Sequence, residues 1–142
     1  MARILRRDLP AEGIYHVTAC GVDGRPIFVH DLDRLDFLEL FDRATGRASW
    51  TCHAWCLMDT HYHLVLETTT AKLSRAMHGL NTAYAQRFNR RHRRRGHLFE
   101  SRFSAWVIRD ERHLEAACQY VLDNPARAGM RMPWPWSGAK DA

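Results

Sequence analysis

The chain reads as an α+β sandwich, a four-stranded antiparallel sheet packed with helices, and two observations predict it. Short runs of period-two alternation, rich in β-branched and aromatic residues, recur at residues 14–19, 50–57, 61–67 and 103–108. Stretches with helical spacing separate or follow them, giving the order β-α-β-β-α-β and then one more helix. At 142 residues, 46% of them hydrophobic, the chain suits a single domain over residues 1–142 with a real core.

The elements follow in order. Residues 1–12 are basic and polar and end in a turn signal at Leu9-Pro10-Ala11-Glu12-Gly13. Ile14 to Ala19 is the first strand, and Gly21 to Pro26 a loop. Asp31 or Asp33 caps a first helix with Leu35, Phe37, Leu38 and Phe41 inward, stopping around Thr45-Gly46. Trp50–Leu57 and His61–Glu67 form a hairpin around a tight turn at Asp59-Thr60. Thr70 caps a long helix that carries Leu73, Met77, Leu80, Tyr84 and Phe88 on one face. Phe103 to Ile108 is the fourth strand. Asp110 caps a last helix with Leu114, Ala117, Cys118, Val121 and Leu122 inward, and Pro125 is expected to end it. The tail, Met132-Pro133-Trp134-Pro135-Trp136, is too proline-rich for a helix and is expected to wrap the surface. This order is that of a ferredoxin-like or RRM-like sandwich, with helices on one face of the sheet.

The hairpin's second strand carries the chemistry. Tyr62, Leu64 and Leu66 make one apolar face, while His61 and His63 stand side by side on the other. Neutral imidazoles fixed two residues apart on a strand suit a divalent metal, although an H-x-H pair alone is a weak signal. In the last helix, Tyr120 falls well off the apolar stripe, on the same flank as His113 and Asn124. Two readings stand: Tyr120 packs on the sheet edge or the tryptophan-rich tail, or it is a nucleophile beside a metal. In the second, Asn124 adds a carbonyl oxygen to His61 and His63, a set suited to Mg²⁺ or Mn²⁺. Tyr84 shares its helix face with Leu80 and Phe88 and reads as core; Tyr62 points away from the histidines.

Net charge is +5, and it is unevenly placed. No acidic residue lies between Glu67 and Glu100, whereas Lys72, Arg75, Arg87, Arg90, Arg91, Arg93, Arg94 and Arg95 do, leaving the rest of the chain net negative. Arginine at this density, with Arg102 just beyond, fits a phosphate backbone, and His92, His97 and Phe99 offer stacking on unpaired bases. No apolar run reaches membrane-spanning length, and the first residues lack the apolar core of a secretory signal. Cys20, Cys52, Cys56 and Cys118 make no C-x-x-C pair and read as cytosolic thiols.

Together these segments resemble the single-tyrosine HUH transposases, most closely their REP-associated branch (RAYT). The resemblance rests on Tyr15-His16-Val17-Thr18, on Cys56 to His63, on Phe88-Asn89-Arg90-Arg91 with Gly96 to Phe103, on Tyr120 to Gly129 and on Trp136-Ser137. The family usually has Pro-Asn where this chain has Asp59-Thr60. The resemblance implies His61, His63 and Asn124 as metal ligands and Tyr120 as the nucleophile. It also implies a strand transferase that cuts single-stranded DNA at palindromic repeat hairpins through a 5′-phosphotyrosine. A cytoplasmic, nucleoid-associated monomer is expected, with a dimer as the alternative. The competing functions are a noncatalytic nucleic-acid-binding module, a zinc hydrolase using His61, His63 and a cysteine, and an inactive domesticated descendant.

Overall fold

A computed structural model of the chain describes residues 12–140, so the basic residues 1–11 lie outside it. The elements are β1 (Glu12–Cys20), a 3₁₀ turn (Val22–Gly24), α1 (Asp31–Ala48), β2 (Thr51–Leu57), β3 (His61–Thr69), α2 (Thr70–Arg91), β4 (Ser104–Ile108), α3 (Glu111–Arg127) and β5 (Ser137–Ala139). All strand pairs are antiparallel, in the order β4-β1-β3-β2-β5. The α+β sandwich stands, with two corrections.

The first is a fifth strand drawn from the proline-rich tail. Trp134 donates its indole N–H to the Leu57 carbonyl at 3.0 Å, and the Leu57 amide donates to the Trp136 carbonyl at 2.8 Å. The tail is thereby laid along β2. Gly138 is required there, because a Cβ would come within 2.7 Å of the Trp55 indole nitrogen. The second correction is that the sheet is covered on both faces. Tyr15, Val17, Tyr62, Leu64 and Leu66 meet Phe37, Phe41, Leu73, Met77, Tyr84 and Phe88 of α1 and α2 in the main core. On the reverse face, Ala54, Cys56, Met58, Val65 and Ile108 meet Ala117 and Val121 of α3 in a smaller cluster. The period-two reading of the strands forecasts this split, since alternate side chains point to opposite faces.

Helix ends differ from the sequence reading for local reasons. His30, not an aspartate, is the N-cap of α1, and Asp33 sits at N3 with its carboxylate accepting the Val29 and His30 amides at 2.9 and 3.1 Å. Leu35 is turned to solvent, and α1 buries Phe37 and Phe41. That helix runs on to Ala48 and ends in a left-handed Ser49 (φ 54°). Thr45 stays inside it because its hydroxyl bonds the Phe41 carbonyl at 2.9 Å and accepts the Trp50 indole N–H at 2.6 Å. Thr69 rather than Thr70 caps α2, its hydroxyl accepting the Lys72 amide at 3.3 Å. Pro125 does not end α3, which continues to Arg127. The Arg127 guanidinium bonds the Tyr120 carbonyl at 2.7 Å across this last stretch of the helix.

Candidate metal and tyrosine site

Three elements bring the site together on the α3 face. β3 supplies His61 and His63, their rings perpendicular with centroids 5.0 Å apart. β1 supplies His16, whose Nε2 lies 3.0 Å from His63 Nδ1. From α3, Asn124 places its amide nitrogen 3.1 Å from His63 Nε2, and Tyr120 lays its ring 6.0 Å from the His63 ring and 5.9 Å from that of His16. Tyr120 is 49% exposed. Its neighbours are two imidazoles of the sheet, one each on β1 and β3, and the Arg127 guanidinium, 4.0 Å over its ring, so of the two partners in the packing reading it is the sheet that the ring meets.

Burial favours the neutral form of all three imidazoles. Burial, then the neighbouring His16, His61 and Arg127 charges, lower the His63 pKa to about 3. Burial and His113 lower His16 to about 4, and burial lowers His61 against the opposing pull of Asn124 and Asp59. Unprotonated rings are what a metal needs. The second nitrogens are also spoken for. His61 Nδ1 is 3.0 Å from the Thr60 hydroxyl, and a proton on His63 Nδ1 donated to His16 leaves the His63 Nε2 lone pair on the Asn124 side. His61 and His63 could offer imidazole nitrogens to a divalent cation, and Asn124, whose NH2 faces His63 Nε2 at 3.1 Å, would offer its carbonyl oxygen once that amide is turned over.

The hairpin turn is held independently. Arg34, 5% exposed, bonds the Asp59 carboxylate at 2.6 Å and the Met58 carbonyl at 3.2 Å, beneath Trp134 at 5.1 Å. The Asp59 carbonyl accepts the Ile27 and Phe28 amides at 2.8 and 3.1 Å. The two residues that replace the family's usual Pro-Asn are thus built into the frame that aims His61.

The basic band is not one surface. Arg91 pairs with Asp33 and Asp36 at 2.6 Å each, and Arg87 with Asp36 and Glu39. Arg94 is tied to the Asn89 side chain and the His97 carbonyl. Lys72, Arg75 and Arg90 line a groove between α1 and α2; Arg93 and Arg95 are exposed just past α2; Arg102 lies at a hollow of about 870 Å³ beside His97 and Phe99. Of the suggested stacking residues, His92 is engaged by Asp33 at 2.9 Å and packed on Phe88. His97 is exposed, and Phe99 is half-buried against Tyr62 and Tyr84.

His16 was legible only as part of a strand. Tyr15, Val17 and Ala19 on one pleat leave His16 on the other, facing the way His63 faces, and that alternation was the available signal. Cys56 pairs across from His63, but burial pushes its thiol up to about 12 and its Sγ sits 3.6 Å from Met58 Sδ. Among the described residues no three His, Cys, Asp or Glu side chains form a group that could hold a metal ion.

Known proteins bear on this arrangement. The model of the IS200-like transposase family matches residues 11–124, and the chain belongs to that family. Its fold is also that of a REP-associated tyrosine transposase solved bound to a REP hairpin, at a TM-score of 0.71 and 15% identity, over 96% of this chain and 82% of that one. No curated protein matches the chain. No helix among the described residues is long and apolar enough to cross a membrane.

Proposed function

We propose that this transposase cuts and rejoins single-stranded DNA by attack of the Tyr120 phenol on a phosphodiester, at palindromic repeat hairpins. The observation that carries the reading is a half-exposed tyrosine ring packed on two buried, uncharged histidines, one of which is a candidate ligand. His61, His63 and Asn124 would hold Mg²⁺ or Mn²⁺, which when bound supplies Lewis-acid polarisation of the phosphate. Tyr120 is oriented by the His16 and His63 rings beneath it and by Arg127 above. Its oxygen forms the bond to phosphorus as the bond to the 3′-oxygen breaks; the phenolic proton passes to water and the departing 3′-oxygen takes one up. The product is a 5′-phosphotyrosine and a free 3′-hydroxyl. One phosphoester replaces another, so a second 3′-hydroxyl can reverse the step and join strands.

The fold relative was solved on a REP hairpin, which supports hairpin DNA as the substrate here. Lys72, Arg75, Arg90, Arg93, Arg95 and Arg102 supply the charge for its backbone, while Arg87, Arg91 and Arg94 order the connector that presents them. Tyr120 lies against histidines of its own chain, which supports a tyrosine acting in cis and a monomer. With Mn²⁺ and a labelled hairpin oligonucleotide, Tyr120→Phe is expected to abolish cleavage and keep hairpin binding within about twofold. Cleavage that survives the substitution contradicts the proposal, and a wild-type protein that binds without cutting reduces it to a binding module.

A further inference from the structure

One large aromatic side chain on the tyrosine face serves neither the core nor the chemistry described so far. Trp106 stands in the middle of β4, directly across from His16 of β1 in the sheet register, and the two rings lie 5.6 Å apart at 46°. Its strand neighbours Ala105 and Val107 point into the main core, and Ile108 joins the smaller cluster under α3. Trp106 belongs to neither cluster and is only half-buried. Trp50 and Trp134 give their indole N–H groups to Thr45 and Leu57, whereas that of Trp106 meets no acceptor among the described residues. The ring it touches is His16, whose other ring neighbours are His63 and Tyr120 at 5.2 and 5.9 Å. β4 is an edge strand of the sheet, so this row of rings is open on its outer side.

We infer that Trp106 is a stacking platform for one of the two unpaired bases that flank the scissile phosphate, so that the sheet edge holds the strand where Tyr120 attacks it. A half-exposed indole presents an uncovered apolar face beside a polar site, and every nucleobase has a π-face able to cover it. A single imidazole, that of His16, separates the indole from the Tyr120 ring, which puts the platform within reach of a base adjoining the phosphate that meets the phenol. A base paired inside a stem has both faces taken by its neighbours, so the contact selects for a single strand at the cut. It uses no cationic side chain, and its share of the affinity therefore does not fall with salt as a phosphate contact does. The inference deepens the proposed function and rests on its choice of single-stranded DNA.

The test uses the full chain carrying Tyr120→Phe, which binds without cutting, as the parent. To it are added Trp106→Leu, which keeps apolar cover over His16, or Trp106→Phe, which keeps an aromatic face. Binding is measured to an unstructured DNA strand that spans the cut, and to a series with an abasic nucleotide at each position in turn. Trp106→Leu is expected to bind the intact strand roughly tenfold more weakly with the slope of log K against log salt unchanged, and Trp106→Phe to stay within about threefold of the parent. The parent should lose most affinity where the missing base flanks the cut, and on that strand the Trp106→Leu defect should vanish. Unchanged affinity in Trp106→Leu, an equal loss in Trp106→Phe, or a Trp106→Leu defect that is the same on every abasic strand overturns the platform and reduces Trp106 to cover for His16. A scan of the parent with no loss beside the cut overturns it without recourse to either variant. A wild-type chain that binds the strand and forms no adduct defeats the proposed function instead, and the abasic scan still decides the stacking.

Discussion

The two faces of the sheet are built to different standards. Against α1 and α2, Tyr15, Tyr62 and Tyr84 are fully buried, packed with Phe28, Phe37, Leu64, Leu66 and Met77. Tyr62 donates its phenol to Asn81 at 2.6 Å and Tyr84 donates to the Ile27 carbonyl, while burial pushes both phenols well above the ordinary tyrosine range. Against α3, the apolar cluster is smaller and stops short of the histidines, and Tyr120 keeps about half its surface. One face carries the thicker core; the other leaves the Tyr120 phenol half-exposed.

The largest effect expected from that contrast is on stability. Phe37→Ala removes a fully buried ring from the thick face and is expected to cost about 3–5 kcal/mol, read as a large drop in the melting temperature. Tyr120→Phe should stay within about 0.5 kcal/mol of wild type. A substantial loss there would mean that the α3 face carries stability too.

Next comes the chemistry. His63→Ala, or chelation of the wild type, is expected to lower cleavage by about 10³-fold or more, the loss that follows when a Lewis acid is removed. The chelated protein should melt cooperatively, because the core on α1 and α2 needs no metal. Unfolding on chelation would make the metal structural.

A smaller effect isolates His16. His16→Phe breaks the hydrogen bond to His63 Nδ1, and Mn²⁺ affinity measured by calorimetry should fall about 10–100-fold. His16→Gln, with an oxygen able to accept the same proton, should recover part of it. Equal affinity in all three would reduce His16 to packing.

Acid sharpens the same point. His63 and His16 fall from their ordinary 6.5 to about 3 and about 4 on folding, so below about pH 6.5 the unfolded chain binds protons that the folded chain does not. Stability is therefore expected to fall as pH drops through 6 toward 4, in melting curves recorded with chelator present. Asp33, whose burial pulls its carboxylate up but whose bonds to the Val29 and His30 amides, Arg91 and His92 together hold it below its ordinary range, loses its contribution on the same side, at lower pH. The His16→Phe curve should be flatter between pH 6.5 and 4.

Much of this was legible because alternation in a strand and spacing in a helix are local properties. Tyr62, Leu64 and Leu66 against His61 and His63 gave both faces of β3, and the angular offset of Tyr120 from Leu114, Cys118 and Val121 placed it off the core. What was not legible depends on partners distant in sequence. Ser137–Ala139 becomes a strand only because Trp134 and Trp136 dock on Leu57, and Leu35 is exposed because Asp33 turns α1 by its bonds to Val29, His30, Arg91 and His92. Charge counting treated the arginines alike, whereas the fold divides them between partners such as Asp36 and open solvent.

The most direct measurement is to trap the covalent adduct on a labelled hairpin oligonucleotide and map the modified peptide by mass spectrometry. All of the DNA is expected on the peptide carrying Tyr120. Label on Tyr15, Tyr62 or Tyr84, or on no tyrosine while the strand is cut, would contradict the assignment of chemistry to the α3 face.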